Sequence, residues 1–173
     1  MFLLIKHKFI YAVRLDYFSD NMKWGHFHDM NYMFIFISNY GDGETTDDEI
    51  EELCMKLVSY TFEKDQDGDG VVDSSLTEDE NTEMIQECWA KYGGLDSDGA
   101  AEQFFDSARG VAEYFQWNHG RMQTFVNDMV DIAAADGYID ATEEVIINNL
   151  AEVWGCTANI SYNSGIPVIL FVW

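Results

Sequence analysis

Residues 140–155 read DATEEVIINNLAEVWG, and this stretch decides the fold class. Val145, Ile146, Leu150, Val153 and Trp154 recur at the three- and four-residue spacing of one helix face. Asp140 with Glu143 three positions later is a start signal: the aspartate accepts from first-turn N–H groups and the glutamate reaches back. Gly155 supplies the stop. The spacing predicts an amphipathic helix over 141–154.

The same rhythm continues upstream. Residues 119–135 carry Met122, Phe125, Val126, Met129, Val130 and Ala133, and residues 99–116 carry Ala101, Phe104, Phe105, Ala108, Val111, Ala112 and Phe115. Residues 78–92 follow a capping box at Thr77-Glu78-Asp79-Glu80. They place Met84, Ile85, Cys88, Trp89 and Tyr92 on one face and stop at Gly93-Gly94. Residues 46–63 place Ile50, Leu53, Cys54, Leu57, Val58 and Phe62 together, with Thr45 or Thr46 as cap. Five amphipathic helices make a mainly α protein, with their Met and aromatic stripes as its core. The expected organisation is a helical domain over 44–157, an apolar and aromatic flank over 1–43, and an apolar tail over 158–173. Within the flanks, 2–18, 31–38 (NYMFIFIS) and 166–172 are short and β-prone, and read as strands or as an edge for a partner chain.

The 173 residues contain 9 Lys and Arg against 32 Asp and Glu, a net charge of −23. So acidic a chain repels phosphate backbones, which argues against nucleic acid and points towards cations or basic partners. Residues 1–40 are near neutral, the last thirteen carry no charge, and the acids fill the middle. Lys6, Lys8 and Arg14 interrupt the apolar start, and the tail IPVILFVW is too short to span a bilayer, so no membrane span is expected. Cys54, Cys88 and Cys156 form no CxxC pair and read as reduced thiols of a soluble, cytoplasmic protein.

The chemistry concentrates in one loop. Asp65-Gln66-Asp67-Gly68-Asp69-Gly70-Val71-Val72-Asp73 has oxygen ligands at alternate positions and glycine at the sixth, the first nine positions of an EF-hand-like calcium loop. A hard cation wants six to eight oxygens, and the glycine turn lets every second side chain aim inward. Asp65, Asp67, Asp69 and Asp73 would ligate through carboxylates and Val71 through its carbonyl. Position twelve is Leu76 rather than glutamate, so Glu78 or Asp79 would have to replace it. A half copy of the loop starts at Asp136-Gly137, with Asp140 and Glu143 following; either Asp131 or the first loop completes its shell, or it is a turn and cap without an ion. Asp96-Ser97-Asp98-Gly99 is explained by a helix cap alone. His26-Phe27-His28-Asp29, read as extended, offers two imidazoles and a carboxylate to zinc, against an aromatic turn or strand. No GxSxG, Walker loop or GxGxxG occurs, and a non-enzymatic protein is expected.

Two helix–acidic-turn–helix units 67 residues apart, Asp69-Gly70 and Asp136-Gly137, resemble the tellurite-resistance TerB family. The second half carries Ala133-Ala134-Ala135-Asp136-Gly137, then Glu143-Glu144 and a helix ending at Trp154-Gly155. The resemblance implies an all-helical bundle with an internal pseudo-repeat, divalent-metal binding, and roles in stress response or membrane-associated complexes. Carried over by position, its metal acids would be Asp69, Asp73, Glu78 and Glu80, then Asp136, Asp140, Glu143 and Glu144. The combined expectation is a module that binds a divalent cation, Ca²⁺ before Mg²⁺, and acts in stress response or as a sensor or adaptor. The alternative is an assembly subunit that joins a protein partner, or itself, through its apolar termini.

Overall fold

A computed structural model describes residues 24–40, 45–61 and 76–160. In chain order these form α1 (His26–Tyr40), α2 (Asp47–Thr61), α3 (Glu78–Gly93), α4 (Ser97–Tyr114), α5 (His119–Ala133) and α6 (Ala141–Trp154). The mainly α expectation holds among these residues, and α2 to α6 begin and end within about two residues of the sequence-derived bounds. The capping signals account for that. Thr77 with Glu80 and Asp140 with Glu143 form reciprocal capping boxes, and Asp96 caps α4 by accepting from the Gly99 N–H. At the far end of α6, Gly155 is left-handed (φ 66°). The Cys156 N–H reaches Ala151 O and the Gly155 N–H reaches Glu152 O, a Schellman closure.

The expected strand over 31–38 is instead the middle of α1, the most buried helix described. Its residues from Met30 to Ser38 are all buried, and it touches each of α2 to α6, most extensively α4 and then α3. An apolar run without a polar side is what a helix surrounded on every side requires, and burial overrides the β propensity of Phe, Ile and Tyr. The helical body therefore reaches back to His26. The expected strands over 2–18 and 166–172 lie outside the described residues.

The core is aromatic. Phe125 stacks on Phe34 at 4.7 Å and meets Tyr60, Phe115 and Trp154 at 5.5 to 6.0 Å, while Phe36 packs on Phe104 at 4.6 Å. Three expected core members face solvent instead: Phe105 is 53% exposed, Val145 56% and Val153 74%. In α6 the buried row is Glu143, Ile147, Leu150, Ala151 and Trp154. A helix holding apolar residues on two sides leaves its rotation undecided until a partner surface selects one side.

Small residues let α1 and α4 approach. Ser107, Ala108, Val111 and Ala112 are buried in α4, and Gly110 lies so close to Asp29 that a Cβ there would stand 2.2 Å from its Oδ2.

Candidate functional site

The acidic positions singled out by sequence divide into two groups. Asp65, Asp67, Asp69, Val71 and Asp73 lie outside the described residues, as does the side chain of Glu78. The others have defined places, and Glu80, Asp136, Asp140 and Glu143 each accept from a backbone N–H. Glu80 accepts from the Thr77 N–H at 2.7 Å and the Thr77 hydroxyl at 2.8 Å. Those bonds, the backbone one first, hold its carboxyl below the ordinary value. Asp136 accepts from the Tyr138 N–H at 2.9 Å across a turn that needs Gly137 at φ 89°. Asp140 accepts from the Thr142 N–H at 2.7 Å, which lowers its pKa. Glu143, buried, accepts from the Asp140 N–H at 2.8 Å. Glu144 sits in the first turn of α6.

Asp131, the side chain that sequence offered to complete the second turn, points elsewhere. It accepts from Lys56 Nζ at 2.6 Å; Asp128 Oδ1 lies 2.9 Å and Glu52 Oε1 3.3 Å from the same ammonium. The Tyr60 hydroxyl donates to Asp128 at 2.5 Å. Burial by itself would lower the Lys56 pKa, but the hydrogen bonds and charges of Asp131 and Asp128 outweigh it and hold the ammonium protonated well above its ordinary range. The lysine thus occupies the centre of a carboxylate cluster that bridges α2 and α5. Among the described residues, no group of three or more His, Cys, Asp and Glu is placed to hold a metal. The second turn, on this geometry, does not assemble a metal site from described residues.

The helical frame also re-pairs the repeat. Thr46 and Glu49 form a box of the same kind as Asp140 and Glu143: the Thr46 N–H donates to Glu49 at 2.7 Å and the Glu49 N–H to the Thr46 hydroxyl at 3.2 Å. Glu49 is 5% and Glu143 6% exposed. α6 begins at Ala141, 94 residues after Asp47 begins α2, and the buried positions recur at that offset as Leu53 with Ile147, Leu57 with Ala151 and Tyr60 with Trp154. The counterpart of Asp136-Gly137 in this frame is Asp42-Gly43, which sits three residues before its cap as Gly137 does before Asp140. In this frame Asp136-Gly137 stands opposite Asp42-Gly43, whereas the resemblance pairs it with Asp69-Gly70. The signal was present in Gly41-Asp42-Gly43 and Thr46-x-x-Glu49, but reading 31–38 as a strand removed the helix that belongs in front of it.

A second polar group surrounds the N-terminal turn of α1. His28 is buried, and its Nδ1 accepts from the Gly25 N–H at 3.2 Å, so Nε2 carries the proton towards Glu87 at 3.1 Å. Asp29 accepts from Trp24 Nε1 at 2.8 Å. Burial raises its carboxyl above the ordinary value, and hydrogen bonds from Trp24 and Ser107 only partly offset this. The Cys88 thiol donates to His28 O at 3.4 Å and is pushed up by burial. Residues 26–29, expected as an extended segment or aromatic turn with zinc as the lesser alternative, are helical, and His26 stacks on Tyr114 at 3.8 Å rather than joining His28.

No family model matches the chain, and neither curated proteins nor solved structures supply a match. The fold and the site define a class only: an acidic helical protein whose described carboxylates cap helices and pair with a lysine. No helix among the described residues is long and apolar enough to cross a membrane.

Proposed function

We propose that this chain is a non-enzymatic helical module that binds a divalent cation, calcium before magnesium, through the loop 65–73, in stress response or as a sensor or adaptor. One observation carries the reading: four aspartates alternate around two glycines in Asp65-Gln66-Asp67-Gly68-Asp69-Gly70-Val71-Val72-Asp73. Such a row repels itself unless a cation neutralises it, and its spacing suits a hard oxygen-seeking ion. Support comes from the flanks. α2 ends at Thr61 and α3 is capped by Thr77, so the twelve positions 65–76 fall between two helices, the setting this kind of loop uses. The TerB-like resemblance belongs to the same proposal, since a repeated helix–acidic-turn–helix plan is what it implies. The second-turn acids Asp136, Asp140, Glu143 and Glu144 come second, because oxygens of the first three already serve caps and turns.

The test is calorimetric titration of Ca²⁺ and Mg²⁺ into chelator-treated full-length protein. Without a glutamate at position twelve, affinity is expected in the micromolar-to-millimolar range. Replacing Asp65 and Asp69 together by Asn is expected to weaken binding on the order of 10- to 100-fold, and Leu76→Glu to tighten it. Absence of any binding heat overturns the reading. Binding that survives the double substitution but disappears in Asp136→Asn moves the ion to the second turn.

A further inference from the structure

α1 and α3 end beside the start of α4 and leave a cleft of about 450 Å³. Its lining includes Asn39, Tyr40, Tyr92, Leu95, Asp96 and Ser97. The size falls among small-molecule sites, which run from about 300 to 1,000 Å³. Two of the lining residues are tyrosines, and neighbouring rings hold both in place. Tyr40 stacks on Phe36 at 4.3 Å, and Tyr92 stands edge-on to Phe36 and to Trp89, each at 6.2 Å. Burial, and then the neighbouring Tyr40, push the Tyr92 hydroxyl up, so this ring stays neutral at physiological pH.

The only charged side chain among the described lining residues is Asp96. Two helix C-termini border the cleft, at Tyr40 and Gly93, and both present the negative end of a helix dipole. The opposing positive end of α4 is answered by Asp96, which accepts from the Gly99 N–H at 2.9 Å, and by Asp98 in the first turn. Lys91, in the last turn of α3, is not among the lining residues. An anion would meet a carboxylate and two negative dipoles there. Among the described lining residues Asp96 is the one carboxylate, which offers a metal ion far fewer than the six to eight oxygens a hard cation takes. Aromatic faces beside one carboxylate suit a different cation, one whose charge is spread over alkyl groups.

We propose that this cleft binds a small organic ammonium ion, its alkyl groups against Tyr40, Tyr92 and Leu95 and its charge neutralised by Asp96 and the ends of α1 and α3. The residues named here are not those of the loop 65–73, so the two proposals are tested on different side chains.

Choline is the probe, with its uncharged carbon isostere as the control, titrated into the full chain with chelator present and at about 0.15 M salt to screen surface charge. Ligand-observed NMR is expected to show choline binding and the isostere at least tenfold weaker. Asp96→Asn removes the charge while keeping an N-cap residue of equal rank, and is expected to weaken choline on the order of tenfold with the circular dichroism unchanged. Tyr40→Leu and Tyr92→Leu are expected to weaken it similarly, since cation–π contacts between exposed and desolvated limits contribute roughly 2- to 30-fold. The proposal is overturned if choline does not bind, if the isostere binds equally well, or if Asp96→Asn leaves choline affinity unchanged. Loss of Ca²⁺ binding in the loop variants leaves the choline result where it is, so the two readings fail separately.

Discussion

Gly110 is where the contact between α1 and α4 is decided. A Cβ there would stand 2.2 Å from Asp29 Oδ2 and 3.0 Å from its Cγ, and Asp29 is short and held by Trp24. Gly110→Ala gains about 0.5–1 kcal/mol in helix propensity, but overpacking costs about 1–3 kcal/mol. A net loss of stability is expected in urea unfolding. Asp29→Ala in the same chain should recover much of that loss, because it removes the colliding atoms; additive losses would show that the collision is not the cause. Asp29 itself weakens the fold when ionised. Burial lifts its folded pKa above the ordinary aspartate value of 3.8, so the native state holds this proton more tightly than the unfolded chain does. Its contribution is most favourable below pH 3.8 and declines as pH rises through the folded value. Asp29→Asn keeps an oxygen for Trp24 and removes the charge. The variant is expected to melt higher than the parent at pH 7, with the gap closing as pH falls towards 4. A gap that is constant across pH would assign the effect to packing.

At the scale of elements, the buried glutamates of the capping boxes divide structure from metal chemistry. Glu49 and Glu143 each close the first turn of a helix whose inner face lies in the core. Glu49→Ala and Glu143→Ala should each lower stability by about 0.5–2 kcal/mol, by the usual scale of cap loss. The loss should persist with chelator present, because the bonds lost are to backbone N–H groups. Asp140→Asn, which preserves capping, should change stability by only a few tenths of a kcal/mol. If Glu143→Ala is destabilising only when Ca²⁺ is supplied, the side chain acts as a ligand and not as a cap. α1 makes the opposite case. It has no charged face to set against water, and its helical state rests on the five helices around it.

Across the whole molecule, a net charge of −23 sets like charges against one another when the chain is compact. Potassium chloride raised to about 0.5 M shortens the screening length to a few ångströms, and a higher melting temperature is expected even under chelator. A specific ion adds to this. At free Ca²⁺ about 100-fold above its dissociation constant, linkage gives roughly 2.7 kcal/mol, or about 5–10 °C for a chain of this length. Melting curves at matched ionic strength, with and without Ca²⁺, separate the two effects. If Ca²⁺ does no more than potassium at equal ionic strength, its action is screening and the loop 65–73 holds no ion.

The local signals in this sequence determined where α2 to α6 start and stop. Thr77 with Glu80, Asp96 with Gly99, Asp140 with Glu143, and Gly155 act through bonds within one turn, so their meaning does not depend on distant residues. What lay beyond a turn was decided by the tertiary structure. From Tyr32 to Ile37 the chain has no charged or strongly polar side, which suits a strand and a surrounded helix equally; only the packing of α3 and α4 on α1 makes the helix the lower state. Val145 and Val153 had the right spacing but the wrong rotation, because the core took Ile147, Leu150 and Trp154. Asp131 was legible as an acid, yet its partner Lys56 is 75 residues away in sequence and reaches it only when α2 packs on α5. Carboxylates are read one by one along a chain, but whether they gather around a cation, a lysine or a helix end depends on distances that folding alone creates.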